Sequence, residues 1–148
     1  MSASITFQKK VEFSETDMAG IAHFTNFFCW MEAAEAELFE SLGAPMIESE
    51  NGVTAGWPRV RVSAEFHAPV HFRDIVEVQL TVKQVKIRAV EYAFRIYRLG
   101  EDAPVHVATA SMTTVFAKRN PDTGAIESAE ISPELAKALV ELAEAVDQ

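Results

Sequence analysis

The chain has 148 residues, 49% of them hydrophobic, with one cysteine and a formal net charge of −9 at pH 7. This length suffices for one hydrophobic core without disulfides, so we expect a single domain over residues 1–148, and the acidic balance argues against nucleic acid and anionic membranes as partners. The N-terminal residues lack a signal-peptide pattern, and no apolar run reaches the ~20 residues of a membrane-spanning helix, which predicts a cytoplasmic protein.

The first half of the chain predicts a strand followed by one long helix. Alternating apolar residues predict the strand over residues 5–13. A polar turn then leads into a helix over about residues 24–42, which a glycine and a nearby proline terminate. Apolar residues cover more than half of the circumference of this helix, so we expect burial on most sides, with Cys29 packed as a small core residue.

The second half predicts a sheet and a C-terminal helix. Residues 46–57 read as an irregular connection, after which the hydrophobic period changes to two. Strands are predicted near residues 59–66, 76–82, 90–99 and 105–118. A turn at 120–124 is expected to end the sheet, and Ser132-Pro133-Glu134 is typical of a helix start, with the helix reaching about residue 146. The pattern predicts an α+β domain whose antiparallel sheet wraps around the long apolar helix.

The stretch 14–28 is the strongest candidate for chemistry, because it carries an acidic turn directly into the apolar helix. A helix N-terminus offers unpaired backbone N–H groups and a partial positive charge, which suit a developing oxyanion. Asp17 lies seven residues before Phe24, so a turn that folds back at Gly20 can aim its carboxylate at the atoms that those N–H groups polarise. The same residue types are also ordinary turn and capping residues, so the residues alone leave both interpretations open.

A longer set of residues carries a family resemblance. The set comprises Phe13, Thr16-Asp17, Ala19-Gly20-Ile21, Asn26-Phe27, Trp30 and Leu42-Gly43. In register and order it resembles the 4-hydroxybenzoyl-CoA thioesterase family of hotdog-fold enzymes, and the similarity extends more weakly to about Phe116. The resemblance implies a hotdog fold and hydrolysis of an acyl-CoA thioester to a carboxylate and free CoA. No cofactor is implied, since coenzyme A is part of the substrate.

The resemblance also implies roles for particular residues. Asp17 is the expected catalytic carboxylate, either as the nucleophile or as the general base on water. The backbone N–H of Phe24 is expected to polarise the thioester carbonyl. Many relatives have His or Tyr at the position of Phe24, whereas this chain has His23 one residue earlier. Gly20 and His23 are counted among the substrate-binding residues of this loop.

Four further residues are substrate-binding candidates. Asn26 either orients the Asp17 loop or serves as a simple turn residue. The family position of Glu32 is acidic and meets a ring hydroxyl in the 4-hydroxybenzoyl enzyme, so Glu32 is either such a contact or a solvated glutamate. Lys86 and Arg88 lie in a basic segment, residues 83–98, and either bind CoA phosphates or face solvent as alternating strand charges.

Two functions remain as alternatives to hydrolysis. His23 follows Asp17 at a spacing one residue off the Asp and His pair of hotdog dehydratases, so an enoyl-thioester hydratase is one alternative. A noncatalytic acyl-CoA-binding domain is the other, because the same fold can host either function. His67 and His71 have a spacing seen at metal sites, but Pro69 forbids the helix that would align them, so no metal is expected. An open sheet edge predicts a homodimer or homotetramer.

Overall fold

The computed structural model describes residues 4–147 and contains two antiparallel sheets and two α-helices. The elements are β1 Ile5–Lys10, α1 Thr25–Ser41, β2 Glu48–Glu50, β3 Val53–Gly56, β4 Arg59–Phe66, β5 Ile75–Val85, β6 Ala89–Leu99, β7 Val105–Val115, β8 Ala117–Arg119, β9 Ile126–Ser128 and α2 Pro133–Asp147. The larger sheet has the order β1-β5-β6-β7-β4, and the smaller has the order β2-β3-β8-β9. The predicted α+β architecture is confirmed.

The hydrophobic core lies between the larger sheet and the two helices. Alternate residues of β5 from Val76 to Val82 are buried in it, as the period of two requires. The helix α1 buries a single stripe, which comprises Phe27, Trp30, Met31, Ala34, Glu35, Leu38 and Phe39. The expectation of burial on most sides is therefore wrong, and Cys29 is exposed. Small residues such as Ala36 and Cys29 count as apolar in the sequence but do not require burial, and Phe24 at the start of the helix is 54% exposed.

Local hydrogen bonding explains where the predicted boundaries fail. The first strand ends at Lys10, because Phe13–Glu15 forms a 3-10 turn in which Glu12 N–H donates to Glu15 Oε1 at 2.7 Å. Residues 46–57 are not irregular, since β2 and β3 form a hairpin around Asn51 and Gly52. Both turn residues have positive φ, 54° and 79°, as a type I′ turn requires. The last predicted strand divides into β7 and β8, and β9 follows the turn at 120–124.

The edge strand β4 leaves apolar side chains exposed. Val62 pairs with Met112 of β7 and therefore faces the core side of the sheet, but it lies at the open edge and is 45% exposed. Val60 and Phe66 are also exposed. A bulge between Arg59 and Arg61 shifts the register, which pairs Arg59 with Thr114. None of the helices in the described range 4–147 has the length and hydropathy needed to span a membrane.

Candidate active site

The acidic loop between β1 and α1 is a closed turn. Asp17 N–H donates to Ile21 O at 3.0 Å, and Gly20 N–H donates to Asp17 O at 2.9 Å. Gly20 has φ of 82°, a left-handed conformation that glycine adopts without steric cost. The carboxylate Oδ1 of Asp17 accepts a hydrogen bond from Ala19 N–H at 2.8 Å. The chain therefore folds back at Gly20, as predicted.

Glu15 and two residues of α1 hold this loop against the helix. Trp30 Nε1 donates to Glu15 Oε2 at 2.7 Å, and Asn26 Nδ2 donates to Glu15 O at 2.8 Å. His23 N–H donates to the same carbonyl oxygen at 2.8 Å. Asn26 thus links the loop that carries Asp17 to the first turn of α1. Glu15 was not predicted as a site residue, because the capping box that it forms starts with Glu12 and lacks the Ser, Thr, Asp or Asn that marks a helix start in a sequence.

Asp17 and Phe24 line one cavity of about 490 Å³ at the N-terminus of α1. The rest of its lining comprises Ile21, Ala22, Phe27 and residues 66–70. The ring of Phe66 packs edge-on against Phe27, with centroids 5.0 Å apart, and this contact joins the end of β4 to the helix. An apolar cavity with few polar groups is the usual form of a small-molecule site.

The start of α1 leaves one backbone donor unengaged beside this cavity. Phe24 is the N-cap residue, and no side chain caps the helix there. Thr25 N–H donates to His23 Nδ1 at 3.4 Å, whereas the Phe24 N–H takes part in no hydrogen bond among residues 4–147. An unpaired N–H at the positive end of a helix can receive the developing charge of a carbonyl oxygen.

Glu32 lies outside the Asp17 cavity. It lines a separate cavity of about 370 Å³ with Trp57 and Arg59, and its carboxylate accepts a hydrogen bond from Arg59 Nη2 at 3.1 Å. The bulge in β4 explains this contact, because it places Arg59 on the side of the sheet that faces α1. Within one copy of the chain, Glu32 and Asp17 are therefore not brought together.

Lys86 and Arg88 also lie away from the cavity, in the β5–β6 hairpin. The register places Phe66 opposite Ala108 and Ala89 opposite Val115 of β7. These two positions are seven residues apart along the strand, which corresponds to about 24 Å. Arg88 Nη1 instead donates to Ser128 Oγ at 3.1 Å. The structure does not join the two cations to the Asp17 cavity of the same chain.

His67 and His71 do not converge. His67 Nε2 is hydrogen-bonded to Thr109 Oγ1 at 2.9 Å, and the His71 ring lies 3.6 Å from the Asp74 carboxylate. In the described part of the chain, no three histidine, cysteine, aspartate or glutamate side chains cluster as metal ligands would. His23 is also engaged, with Nδ1 bonded to Thr25 Oγ1 at 2.8 Å.

Glu35 is a buried carboxylic acid in the apolar stripe of α1. Its side chain has no exposed area and accepts a hydrogen bond from Arg59 Nη2. Burial raises the pKa of Glu35 above its ordinary 4.5, and the guanidinium of Arg59 opposes part of that rise. Burial also raises the pKa of the neighbouring Tyr92, and the charge of Glu35 adds to the effect. The burial of Glu35 could not be predicted from its polar side chain, although its spacing matches the buried stripe of α1.

The five-stranded antiparallel sheet packed against the long helix α1 is the hotdog fold. A model of the thioesterase-like superfamily matches residues 11–139, and the chain belongs to this family. The 4-hydroxybenzoyl-CoA thioesterase of Pseudomonas sp. strain CBS-3 is 32% identical over 121 residues, which are 79% of this chain and 85% of that protein.

Solved structures show the same fold. A 1,4-dihydroxy-2-naphthoyl-CoA thioesterase from Synechocystis has a TM-score of 0.78 at 22% identity, over 94% of this chain and 97% of that chain. A mutant 4-hydroxybenzoyl-CoA thioesterase complexed with 4-hydroxybenzoyl-CoA has a TM-score of 0.76 at 22% identity, over 96% and 99%. The expectation of a thioester hydrolase agrees with all these relatives.

Proposed function

We propose that this protein hydrolyses an acyl-CoA thioester to a carboxylate and free CoA. The observation that carries the proposal is one apolar cavity lined by both the Asp17 carboxylate and Phe24, whose N–H is unengaged at the helix N-terminus. The relatives named above act on CoA thioesters, which supports this substrate class. No observation favours the hydratase alternative. The His23 imidazole is hydrogen-bonded to Thr25 Oγ1 and does not line the cavity.

The proposed mechanism assigns one task to each group. The Phe24 N–H and the partial positive charge of α1 stabilise the oxyanion that forms as the thioester carbon becomes tetrahedral. Asp17 either attacks this carbon, giving a mixed anhydride that water then cleaves, or takes a proton from the attacking water. In both routes the C–S bond breaks and the thiolate of CoA leaves. The hydrogen bond from Ala19 N–H orients the carboxylate for either task.

Asp17→Asn tests the proposal directly. We expect kcat to fall by about a thousandfold or more with KM nearly unchanged, because the group acts chiefly in the transition state. Asp102→Asn, at an exposed turn between β6 and β7, is the matched control and should behave as the parent. Activity of the Asp17 variant within about tenfold of the parent, only ~1.4 kcal/mol of barrier, would show the assignment to be wrong.

The acyl group forms a finer part of the proposal. The relatives named above carry hydroxylated aromatic acyl groups in their names, which supports an aryl-CoA substrate. We assign recognition of the ring hydroxyl to Glu32, whose carboxylate is 65% exposed and oriented by Arg59. Since Glu32 lies outside the Asp17 cavity of its own chain, this role requires the neighbouring chain of an oligomer.

The assembly that would supply this neighbouring chain is a homodimer or a homotetramer. The open edge of β4 carries unpaired backbone groups and the exposed apolar side chains of Val60, Val62 and Phe66. Exposed apolar strand edges in stable proteins are generally covered by a partner. Pairing at this edge would place a second copy beside Phe66, and thus beside the Asp17 cavity.

A further inference from the structure

Two exposed phenylalanine rings lie together outside the candidate active site. Phe13 is 74% exposed and Phe72 is 49% exposed, and their rings meet edge to face with centroids 5.7 Å apart. Rings that pack on each other without entering the core gain little from burial. A paired and accessible aromatic surface of this kind is typical of a binding surface.

The open cavity beside these rings is lined by more cations than anions, although the chain as a whole is acidic. Lys9, Lys10 and Arg73 line an open cavity of about 580 Å³ with the two rings, and Glu12 is its one acidic residue. Lys9 Nζ is paired with Glu12 at 2.9 Å, which neutralises both groups. Neither Lys10 nor Arg73 forms an ion pair with any residue in the range 4–147. Two cationic side chains therefore remain beside the phenylalanine pair.

Arg73 occupies a backbone position that favours glycine. Its φ of 72° is in the left-handed region, which side chains with a Cβ adopt only at a steric cost. In this conformation the guanidinium carbon lies 5.9 Å from the centroid of the Phe72 ring. Glycine would adopt this backbone conformation at a lower steric cost than arginine. We therefore attribute the arginine at this position to the contacts of its side chain. We call Lys10, Phe13, Phe72 and Arg73 the basic aromatic patch.

The basic aromatic patch adjoins the Asp17 cavity along two segments of chain. Phe13 precedes Asp17 by four residues, which span at most ~14 Å, and Phe72 follows the cavity residue Val70 by two, at most ~7 Å. Backbone hydrogen bonds hold the two segments together, because Ala22 N–H donates to Val70 O at 2.7 Å and Arg73 N–H donates to Val11 O at 2.9 Å. The patch thus lies beside the cavity and not within it.

We propose that the basic aromatic patch binds the nucleotide end of the CoA thioester. The adenine stacks on the exposed phenylalanine rings, and the phosphates contact Lys10 and Arg73. The pantetheine arm separates the nucleotide from the thioester, which places the acyl group in the Asp17 cavity while the nucleotide remains on the surface. This inference rests on the proposed function, and it gives the CoA phosphates a different site from Lys86 and Arg88.

Substrate truncation and Arg73→Gly provide the first test. The glycine variant removes the cation and relieves the left-handed conformation, so we expect unfolding stability equal to the parent or higher. With an acyl-CoA, KM should rise about tenfold, the scale of losing one phosphate contact or base stack, while kcat changes little. With the matching acyl-pantetheine, which lacks the nucleotide, kcat/KM should stay within about twofold of the parent.

Phe13→Ala should likewise raise KM for the acyl-CoA and leave kcat/KM for the acyl-pantetheine nearly unchanged. Lys137→Ala, which removes an exposed cation from α2, is the control for a change in net charge and should follow the parent. If Lys86→Ala/Arg88→Ala raises KM for the CoA ester while Arg73→Gly and Phe13→Ala do not, the inference is overturned.

Direct binding separates this inference from the proposed function. Titration of the parent with adenosine 3′,5′-bisphosphate should show binding that Arg73→Gly and Phe13→Ala weaken about tenfold, a loss of ~1.4 kcal/mol. Nucleotide binding without hydrolysis of either thioester would refute the proposed function and leave the nucleotide site standing. Hydrolysis without any effect of the variants on nucleotide binding would refute the nucleotide site alone. A change in oligomeric state on Phe13→Ala would assign the patch to a subunit contact and overturn the inference.

Discussion

Glu35 makes the folding stability of this protein depend on pH. Because burial raises the pKa of Glu35 in the folded chain, the folded state favours the protonated acid more than the unfolded chain does. This stabilisation is fully present below the unfolded pKa near 4.5 and is lost as pH rises through the higher folded pKa. Glu35→Gln keeps the shape and the acceptor for Arg59 but does not ionise.

We therefore expect the free energy of unfolding of Glu35→Gln, relative to that of the parent, to increase as pH rises above 4.5. Urea unfolding measured at intervals from acid to neutral pH checks this, with the difference between the two proteins plotted against pH. A difference that is constant across the range would contradict the prediction. Glu37→Gln, at an exposed position of α1, is the matched control.

The proposed function predicts that Glu32 determines acyl specificity. A site that pairs with a substrate hydroxyl rejects the analogue without it, since a polar group is then left unpaired. The parent should have a higher kcat/KM for a hydroxybenzoyl-CoA than for benzoyl-CoA, and Glu32→Ala should remove this preference. Comparison of the two esters and a short aliphatic acyl-CoA tests it. An aliphatic preference in the parent, or a hydroxyl preference that survives in Glu32→Ala, would refute the role.

Hydrogen bonds between the acidic loop and α1 fix the position of Asp17 relative to the start of the helix. Trp30→Phe keeps an aromatic ring in the core but removes the N–H that donates to Glu15 Oε2. Loss of the only donor to Glu15 Oε2 among residues 4–147 should cost about 1–3 kcal/mol of stability, and the loosened loop should lower kcat by about tenfold. Thermal unfolding and steady-state kinetics measure the two effects. Lower stability with an unchanged kcat would show that the contact serves the fold alone.

Elements whose signals are local in the sequence were the predictable part of the fold. The helix α1 and the strand β4 carry clear periods of 3.6 and two, and their observed bounds match the prediction to within about a residue. The short strands β2, β3 and β9 escaped prediction, because three or four residues carry too little periodicity. The Asn51-Gly52 pair was a hairpin signal in a segment otherwise read as irregular.

The candidate site was predictable to the same extent. Asp17, Gly20 and Phe24 lie within eight residues of one another, so a single motif contains them. The opposite wall of the cavity, residues 66–70, comes from the end of β4 and its following loop, and only the folded chain brings it there. The same holds for the pairing of Glu35 with Arg59, which depends on a bulge that the alternating pattern of β4 conceals.

The assembly of the whole molecule should depend on the edge of β4. Val62→Lys places a charge at the open edge of the sheet, where pairing with a second copy would bury it. We expect the variant to sediment as a monomer and to lose most of its activity, whereas Ile126→Lys, at an exposed position of β9, should leave both unchanged. Analytical ultracentrifugation and thioester hydrolysis measure the two outcomes. An unchanged assembly in Val62→Lys would assign the contact to another surface.

The exposed thiol of Cys29 is a natural attachment site for a label that measures distances between subunits. It is the only cysteine of the chain and lies on the rigid helix α1, so a thiol-reactive spin label attaches at one defined position without any substitution. In an oligomer, each copy would carry one label, and the number and length of the label-to-label distances would differ between a two-fold dimer and a tetramer. Pulsed electron paramagnetic resonance on the unmodified sequence could therefore read out the quaternary arrangement in solution.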